Sequence, residues 1–491
     1  MALLLQSSVL TLMLLLVTST SAVDMTSSSW RCVDQNKALN ATSLDCTCSR
    51  SSAGSSFSWT NVDCTRRNFS NFAPNASLPL FIQRLDLSYN KITSLGESPF
   101  QHWNPLKELI LSNNGMVSII DNPFSGLELL THLDLSYNKL TVLPSDLLIN
   151  NTRIISVNFN FNNLHTLPPE IFSTANKLNS ISLSHNIGIG KYISESPYAL
   201  TEALKNGLKH LELNHVNLSR FPTNFFNDAS VLSELYISDN LFTKVPDLFI
   251  GALQVLNLSG CDIERLTAGN FITLSSLKEL YLDRLINLTV VQEGAFEGLR
   301  SLRTLSMENC VQLQSFHKLA FGPKEYEVKH LKQLSLIQSG LQVLSPDLRR
   351  VLKEVESVQL HGNPWHCDCN LAWLLDLNLT LHERKKLRCF SPPHLRAARI
   401  FSLTSDQLEC VRPVPRVKSG LVVAMAVLLG VVCMVAAIGV LDFIRRHRWR
   451  SARRVGRYRP IEVQLEANRA EYECEDKELS PLGVTQTSAS P

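Results

Sequence analysis

The chain has almost no net charge. Its 47 Lys and Arg are set against 44 Asp and Glu over 491 residues, a balance of +3. Without a global positive field, nucleic acid is not an expected partner. A catalytic constellation is also lacking. Histidines and acids are scattered, with no nucleophile, metal or phosphate motif around them, so neither an enzyme nor a cofactor is expected. Lys and Arg are missing from the first 22 residues, and no charge of either sign occurs in the 23 residues from Ser419 to Leu441.

Those two voids set an expected topology. The apolar run Val9 to Val17, followed by Thr20, Ser21 and Ala22, reads as a secretory signal peptide of residues 1–22, although its basic n-region is absent. Residues 419–441 are long enough to cross a bilayer as a helix. Directly after them come Arg445, Arg446, Arg448, Arg450, Arg453, Arg454, Arg457 and Arg459. By the positive-inside rule, this side is cytoplasmic. The expectation is a type I protein of the plasma membrane, N-terminus outside, with a cytoplasmic tail over 442–491. Asn40, Asn68, Asn75, Asn150, Asn217, Asn257, Asn287 and Asn378 each begin N-x-S/T without proline. All eight precede the apolar span and are candidate glycosylation sites of a secreted ectodomain.

What fills that ectodomain is a repeat. Leu130-Thr131-His132-Leu133-Asp134-Leu135-Ser136-Tyr137-Asn138-Lys139-Leu140 shows it most cleanly. The same frame opens at Ile82, Leu106, Leu130, Ile154, Leu178, Leu208, Leu232, Leu253, Leu277, Leu302, Leu331 and Val355, and seven of the eleven intervals are 24 residues. Period and pattern match the leucine-rich repeat signature. Each unit supplies a short strand whose leucines alternate inward. The Asn at the ninth place can satisfy backbone groups left unpaired where the chain turns. A lone unit cannot bury its leucines, but stacked units share one core. The expected fold is a solenoid over 82–362, with a parallel sheet lining its concave face.

A solenoid has two open ends, and cysteines cluster at both. Cys32, Cys46, Cys48 and Cys64 lie in the segment 23–81; Cys367, Cys369, Cys389 and Cys410 lie in 363–412, before a linker over 413–418. Four cysteines allow three pairings at each end. Their spacings do not match common zinc sites, and a secreted context favours disulfides. The stretch Gly362-Asn363-Pro364-Trp365-His366-Cys367-Asp368-Cys369-Asn370-Leu371-Ala372-Trp373-Leu374 resembles the C-terminal flank of the extracellular leucine-rich repeat family. That resemblance implies Cys367–Cys389 and Cys369–Cys410 bridges, and Cys32–Cys48 and Cys46–Cys64 at the other end. Cys261 and Cys310 occupy ninth places two repeats apart, roughly 10 Å at ordinary strand spacing, beyond a disulfide's reach of about 7 Å. They read as buried thiols.

Outward-facing positions of repeats six to nine gather His210 and Glu212, then Glu234 and Tyr236, then Glu279, Tyr281 and Asp283. Tyrosines beside acids suit a protein ligand, because Tyr supplies contact area at low entropic cost. Against this stands Asn257, a sequon between the two tyrosines. An ordinary solvated strand face is the competing reading. Two long repeats hold insertions. In the first, the run Ser196 to Gly207 is expected to form a short capped helix. The second contains Phe321-Gly322-Pro323-Lys324-Glu325-Tyr326.

The tail turns from basic to acidic through Glu462, Glu466, Glu471, Glu473, Glu475, Asp476 and Glu478, a composition that argues for disorder. Its arginines are expected to lie against the anionic inner leaflet. Tyr458-Arg459-Pro460-Ile461 resembles an endocytic sorting signal. The tail is too short for a kinase or a Toll-type signalling domain, so a co-receptor or adaptor would carry any signal. The expected function is a cell-surface receptor, co-receptor or adhesion protein for an extracellular protein ligand. The interrupted repeats, Cys-x-Cys flank, single span and short tail are similar to trophoblast-glycoprotein-like proteins, which would imply modulation of Wnt signalling. The alternative is an innate-immune recognition protein for microbial ligands, similar in fold to Toll receptors without their signalling domain.

Overall fold

The computed structural model describes residues 32–34, 46–49, 60–70, 78–96, 98–120, 122–323, 328–408, 410 and 419–452. The signal segment, Asn40, Asn75, the side chain of Cys32, and the tail beyond 452 with Tyr458 and Cys474 lie outside them. The described residues up to Cys410 form one compact unit, and those from Ser419 belong to a second.

The first unit is a leucine-rich repeat solenoid. Among the described residues it carries a fifteen-stranded sheet whose neighbours follow chain order. Twelve of its strands are the three-residue segments of the twelve repeats, from Arg84–Asp86 to Ser357–Gln359. The aliphatic residue at the centre of each repeat strand faces its counterpart in the next, Leu85 against Leu109 and Leu109 against Leu133. All are parallel; only the pairing of Cys46–Ser49 with Asn61–Asp63 in the N-terminal flank is antiparallel. Such short strands hold because every leucine of the frame is buried against both neighbouring turns. Leu109, Leu111, Leu130 and Leu135 are all fully buried. A second, three-stranded parallel sheet joins Arg265–Leu266, Val290–Val291 and Ser315–Phe316 on the return leg of three successive turns.

The ninth-place asparagines tie turn to turn. Asn138 donates to the carbonyls of Leu111, Leu135 and Ser136 at 3.0–3.1 Å and accepts from the Met116 amide at 3.1 Å. Asn162, Asn186, Asn240 and Asn363 repeat the arrangement. Cys261 and Cys310 take that place as free, buried thiols, and burial pushes them up to about 11 and about 12. The backbone just before this place always turns the same way. Residues such as Tyr89, Asn113, Tyr137, Phe161 and His185 have φ between 53° and 61°. A phenylalanine spine lies on the far side of the coil: Phe100 and Phe124 stack at 6.0 Å, and Phe296 and Phe321 at 5.5 Å.

Both ends are closed by disulfides. Cys46 is bonded to Cys64, and Cys48 is also disulfide-bonded. Cys367 is bonded to Cys389, and Cys369 to Cys410. Within the sheet, the amide after each strand finds the next strand; Leu336, for example, donates to Gln359 at 2.8 Å. The last repeat has no successor. Its Leu360 amide donates instead to the buried Glu383 carboxylate at 2.7 Å, whose other oxygen meets His361 Nδ1 at 2.7 Å. Glu383 thus stands in for a missing strand.

The first insertion departs from expectation. The helix expected over Ser196 to Gly207 is present only as Thr201–Lys205, and a second helix, Ile189–Glu195, precedes it. Ser196 ends the upstream piece in extended geometry, and Leu200 precedes the downstream one in the left-handed region at φ 64°. Ile189 and Ile193, one turn apart, hold the upstream piece by burying against the core. Gly190 permits this, because a Cβ there would lie 2.2 Å from the Val216 carbonyl oxygen.

The second unit contains the helix Ser419–Ala452. Its segment Met425–Arg446 is long and apolar enough to cross a membrane, 22 residues, about 33 Å at helical rise against a hydrocarbon core of roughly 30 Å. The helix continues past Leu441, so the beginning of the expected tail is regular rather than irregular. Arginine favours helix, and Asp442 pairs with Arg446 one turn on at 2.9 Å.

Candidate functional site

Repeats six to nine bring the expected residues together on neighbouring strands. His210–Glu212, Glu234–Tyr236, Val255–Asn257 and Glu279–Tyr281 pair in register, so His210, Glu234, Val255 and Glu279 form one row. Glu212, Tyr236, Asn257 and Tyr281 form the next.

His210 sits between two carboxylates. Its Nδ1 is 2.8 Å from Glu234 and its Nε2 3.0 Å from Glu212. The Glu212 hydrogen bond, helped by Glu234 and opposed by burial, raises the imidazole above its ordinary value. The same contact with His210 leads the causes that lower Glu212, with Asn160 donating to its second oxygen at 3.2 Å. The His210 and Tyr236 rings lie 5.2 Å apart. Tyr281 donates to Glu279 at 2.8 Å, and Tyr236 more loosely to Glu234 at 3.4 Å. Burial first, then the neighbouring acids, pushes both phenols up to about 12, so they remain donors. The patch is therefore a braced surface of two tyrosines and three glutamates, with Glu234 the most open at 41 % side-chain exposure among the ion-paired residues of this patch.

Asp283 behaves differently. One of its oxygens accepts from Ser306 Oγ at 2.5 Å and from the Glu308 amide at 2.8 Å. It joins repeats and is already engaged. Asn257 occupies the row between Tyr236 and Tyr281, its Oδ1 accepting from the Ser259 amide at 2.9 Å. Among the other sequons, Asn68, Asn150, Asn217 and Asn378 are exposed, and Asn287 is half-buried with a 3.3 Å bond to Asp262. No group of three or more metal-ligating side chains occurs among the described residues.

A feature not anticipated lies beside this wall. The eighth-place residues Tyr137, Phe161, His185 and His215 stack into a ladder at centroid spacings of 4.1, 3.9 and 5.0 Å. Arg66 covers the Tyr89 ring at 4.8 Å. The members are 24 or 30 residues apart in sequence, so only a comparison of the same place across repeats would have shown it.

Residues 82–140 and 251–311 match the family model described as Leucine rich repeat. The repeat is a leucine-rich repeat. The chain is similar to mouse Nephrocan, 28% identical over 28% of this chain and 30% of that protein. It is similar to the mouse leucine-rich repeat transmembrane protein FLRT2, at 23% over 44% and 36%, and to mouse CD180 antigen, at 28% over 46% and 34%. These matches span about a third of the length of each relative. Among solved structures, the octameric complex of Latrophilin 3, Unc5D and FLRT2 aligns at TM-score 0.48 and 17% identity, over 74% of this chain and 98% of that one. The Drosophila Toll–Spatzle complex aligns at 0.43 and 17%, over 67% and 55%.

Proposed function

We propose that this chain is a single-pass, type I cell-surface receptor, co-receptor or adhesion protein that binds an extracellular protein through the concave wall of repeats six to nine. The observation that carries this reading is the braced row of His210, Glu234, Tyr236, Glu279 and Tyr281. Their mutual hydrogen bonds fix the side chains before any ligand arrives, which lowers the entropy cost of binding. The acidic, tyrosine-bearing character of the patch suits a ligand with a basic surface. Leucine-rich repeat relatives that are themselves membrane proteins support the setting. Under this reading the helix Ser419–Ala452 crosses the bilayer, its arginines meet the inner leaflet, and a co-receptor carries any signal. The trophoblast-glycoprotein-like plan adds Wnt signalling as the pathway to test first, with a transcriptional reporter.

The test uses cells displaying the full chain, screened against secreted and cell-surface proteins. Changing Tyr236 and Tyr281 together to Ala should weaken the ligand found by about thirtyfold, the cost of losing a true anchor. Both rings are half-buried on an open wall, so folding and surface level should be unaffected. Unchanged affinity in that variant, together with full glycan occupancy at Asn257, would move the binding site off this patch.

A further inference from the structure

We propose that the edge formed by Tyr89, Tyr137, Phe161 and His185 is a second docking surface, one that receives an acidic segment of a partner protein.

Backbone geometry is the first reason. Each of these four residues lies in the left-handed region, with φ of 57°, 53°, 55° and 61°. Bulky side chains are disfavoured there by about 1–2 kcal/mol relative to glycine or asparagine. Stacking of neighbouring rings contributes only about 0.5–1.5 kcal/mol, so the aromatics gain the fold little. Asn113 occupies the same place in the second repeat at φ 54° and shows what the fold alone needs.

Exposure is the second. Tyr89, Tyr137 and Phe161 remain 52%, 47% and 37% exposed, beside a recess they line with Asn113 and Asn114. Tyr137, Phe161 and His185, stacked on one another, present ring edges to solvent, and Arg66 covers one face of Tyr89. They offer apolar contact area rather than open faces of the kind on which a sugar ring lies.

Charge decides the partner's chemistry. From the eighth to the twelfth place of repeats one to five there is no Asp or Glu, while Lys91 and Lys139 stand two residues after Tyr89 and Tyr137 and are exposed. Arg66, also exposed, extends the row over the face of Tyr89. Three cations among aromatic rings match a protein segment that alternates carboxylates with apolar side chains. They are few for a sulfated polysaccharide, whose binding rests on many cations.

The sequons frame the same window. Asn68 follows Arg66 by two residues, and Asn217 follows His215 by two; both are exposed. The five equivalent places between them are Lys91, Gly115, Lys139, Asn163 and Ile187, none of which begins a sequon. Of the two other sequons in this stretch, Asn75 lies outside the described residues, and Asn150 lies in the later half of its turn, bonded to Asn122. Glycans would thus bracket the ladder and leave open about 19 Å of edge, four strand spacings. The concave patch has a sequon at its centre instead, so the two surfaces are separable by experiment.

The probe is a random copolymer of glutamate and tyrosine, with heparin as the polysaccharide arm, applied to cells displaying the full chain. Tyr137→Asn with Phe161→Asn should weaken copolymer binding by about tenfold or more. The pair is expected to fold, because Asn113 already serves in that geometry, and surface level checks this. His165→Thr creates a sequon at Asn163 without touching the rings, and its glycan should block the copolymer. Tyr236→Ala with Tyr281→Ala should leave copolymer binding unchanged even if the concave reading fails. Absence of copolymer binding to the unmodified chain, or equal binding by the Tyr137/Phe161 variant, would overturn the proposal. Heparin binding lost with the rings would reassign the edge to a polysaccharide. Concentration-dependent self-association of the detergent-solubilised chain, lost with the rings, would reassign it to a second copy.

Discussion

His210 shows how one side chain couples the candidate site to stability. Its imidazole bridges Glu212 and Glu234, so the folded state holds its proton more tightly than the unfolded chain does. A raised histidine contributes stability that is complete below about pH 6.5 and is lost as pH rises through the folded value. Glu212 is lowered, so its contribution is complete above about pH 4.5 and is lost as pH falls through its own folded value. The bridge is therefore strongest between those limits. For His210→Gln, the loss in melting temperature relative to the unmodified chain should be greatest within that window and shrink in mildly alkaline buffer. A pH-independent difference would mean that the contact acts by packing alone.

The C-terminal flank is an element whose parts are individually weak. The helix Leu381–Lys386 has six residues, too few to be stable alone. It is held because Glu383 completes the last strand and two disulfides close around it. Those bridges span sequence separations of 22 and 41 residues. In the chain-entropy account each is worth about 3–4 kcal/mol. Cys369→Ser would strand Cys410 and loosen the cover over Trp365 and Leu374, both fully buried. Retention of this variant in the secretory pathway is the expected outcome, read as surface staining against total protein. Normal surface level would show that the Cys367–Cys389 bridge and the Glu383 contact suffice.

For the whole molecule, the proposed orientation is open to a direct test. With residues 23–418 outside, protease added to intact cells should remove the solenoid and leave a short membrane-bound fragment that carries the tail. A solenoid protected from protease while the tail is cleaved would reverse the orientation. The two units meet different solvents in this scheme. The solenoid hides its leucines from water by stacking turns, whereas the helix Ser419–Ala452 exposes Leu428, Val431, Met434 and Ile438 to whatever surrounds it. A helix that is apolar on all sides has its backbone polar groups satisfied within itself, as a bilayer requires.

The solenoid, the place of its strands and the role of the ninth-place asparagine were legible because each depends on residues within one repeat. Leu133, Leu135 and Asn138 are neighbours in sequence, and their spacing specifies both the strand and the turn after it. The acidic tyrosine patch was also legible, since strand periodicity dictates that His210, Glu234 and Tyr236 face outward. Other features depend on what stands one turn away. The Tyr137–Phe161–His185 stack and the phenylalanine spine arise only when places 24 residues or more apart are brought within a ring's thickness or two. The bond from Leu360 to Glu383 exists because the last strand lacks a neighbour, which no local pattern announces. The expected insertion helix survives only as Thr201–Lys205, and the helix Ile189–Glu195 ahead of it was not legible because it rests on burial of Ile189 and Ile193 against the core. Repeat-local chemistry set the architecture; contacts between turns decided which of its surfaces are braced, stacked or left open.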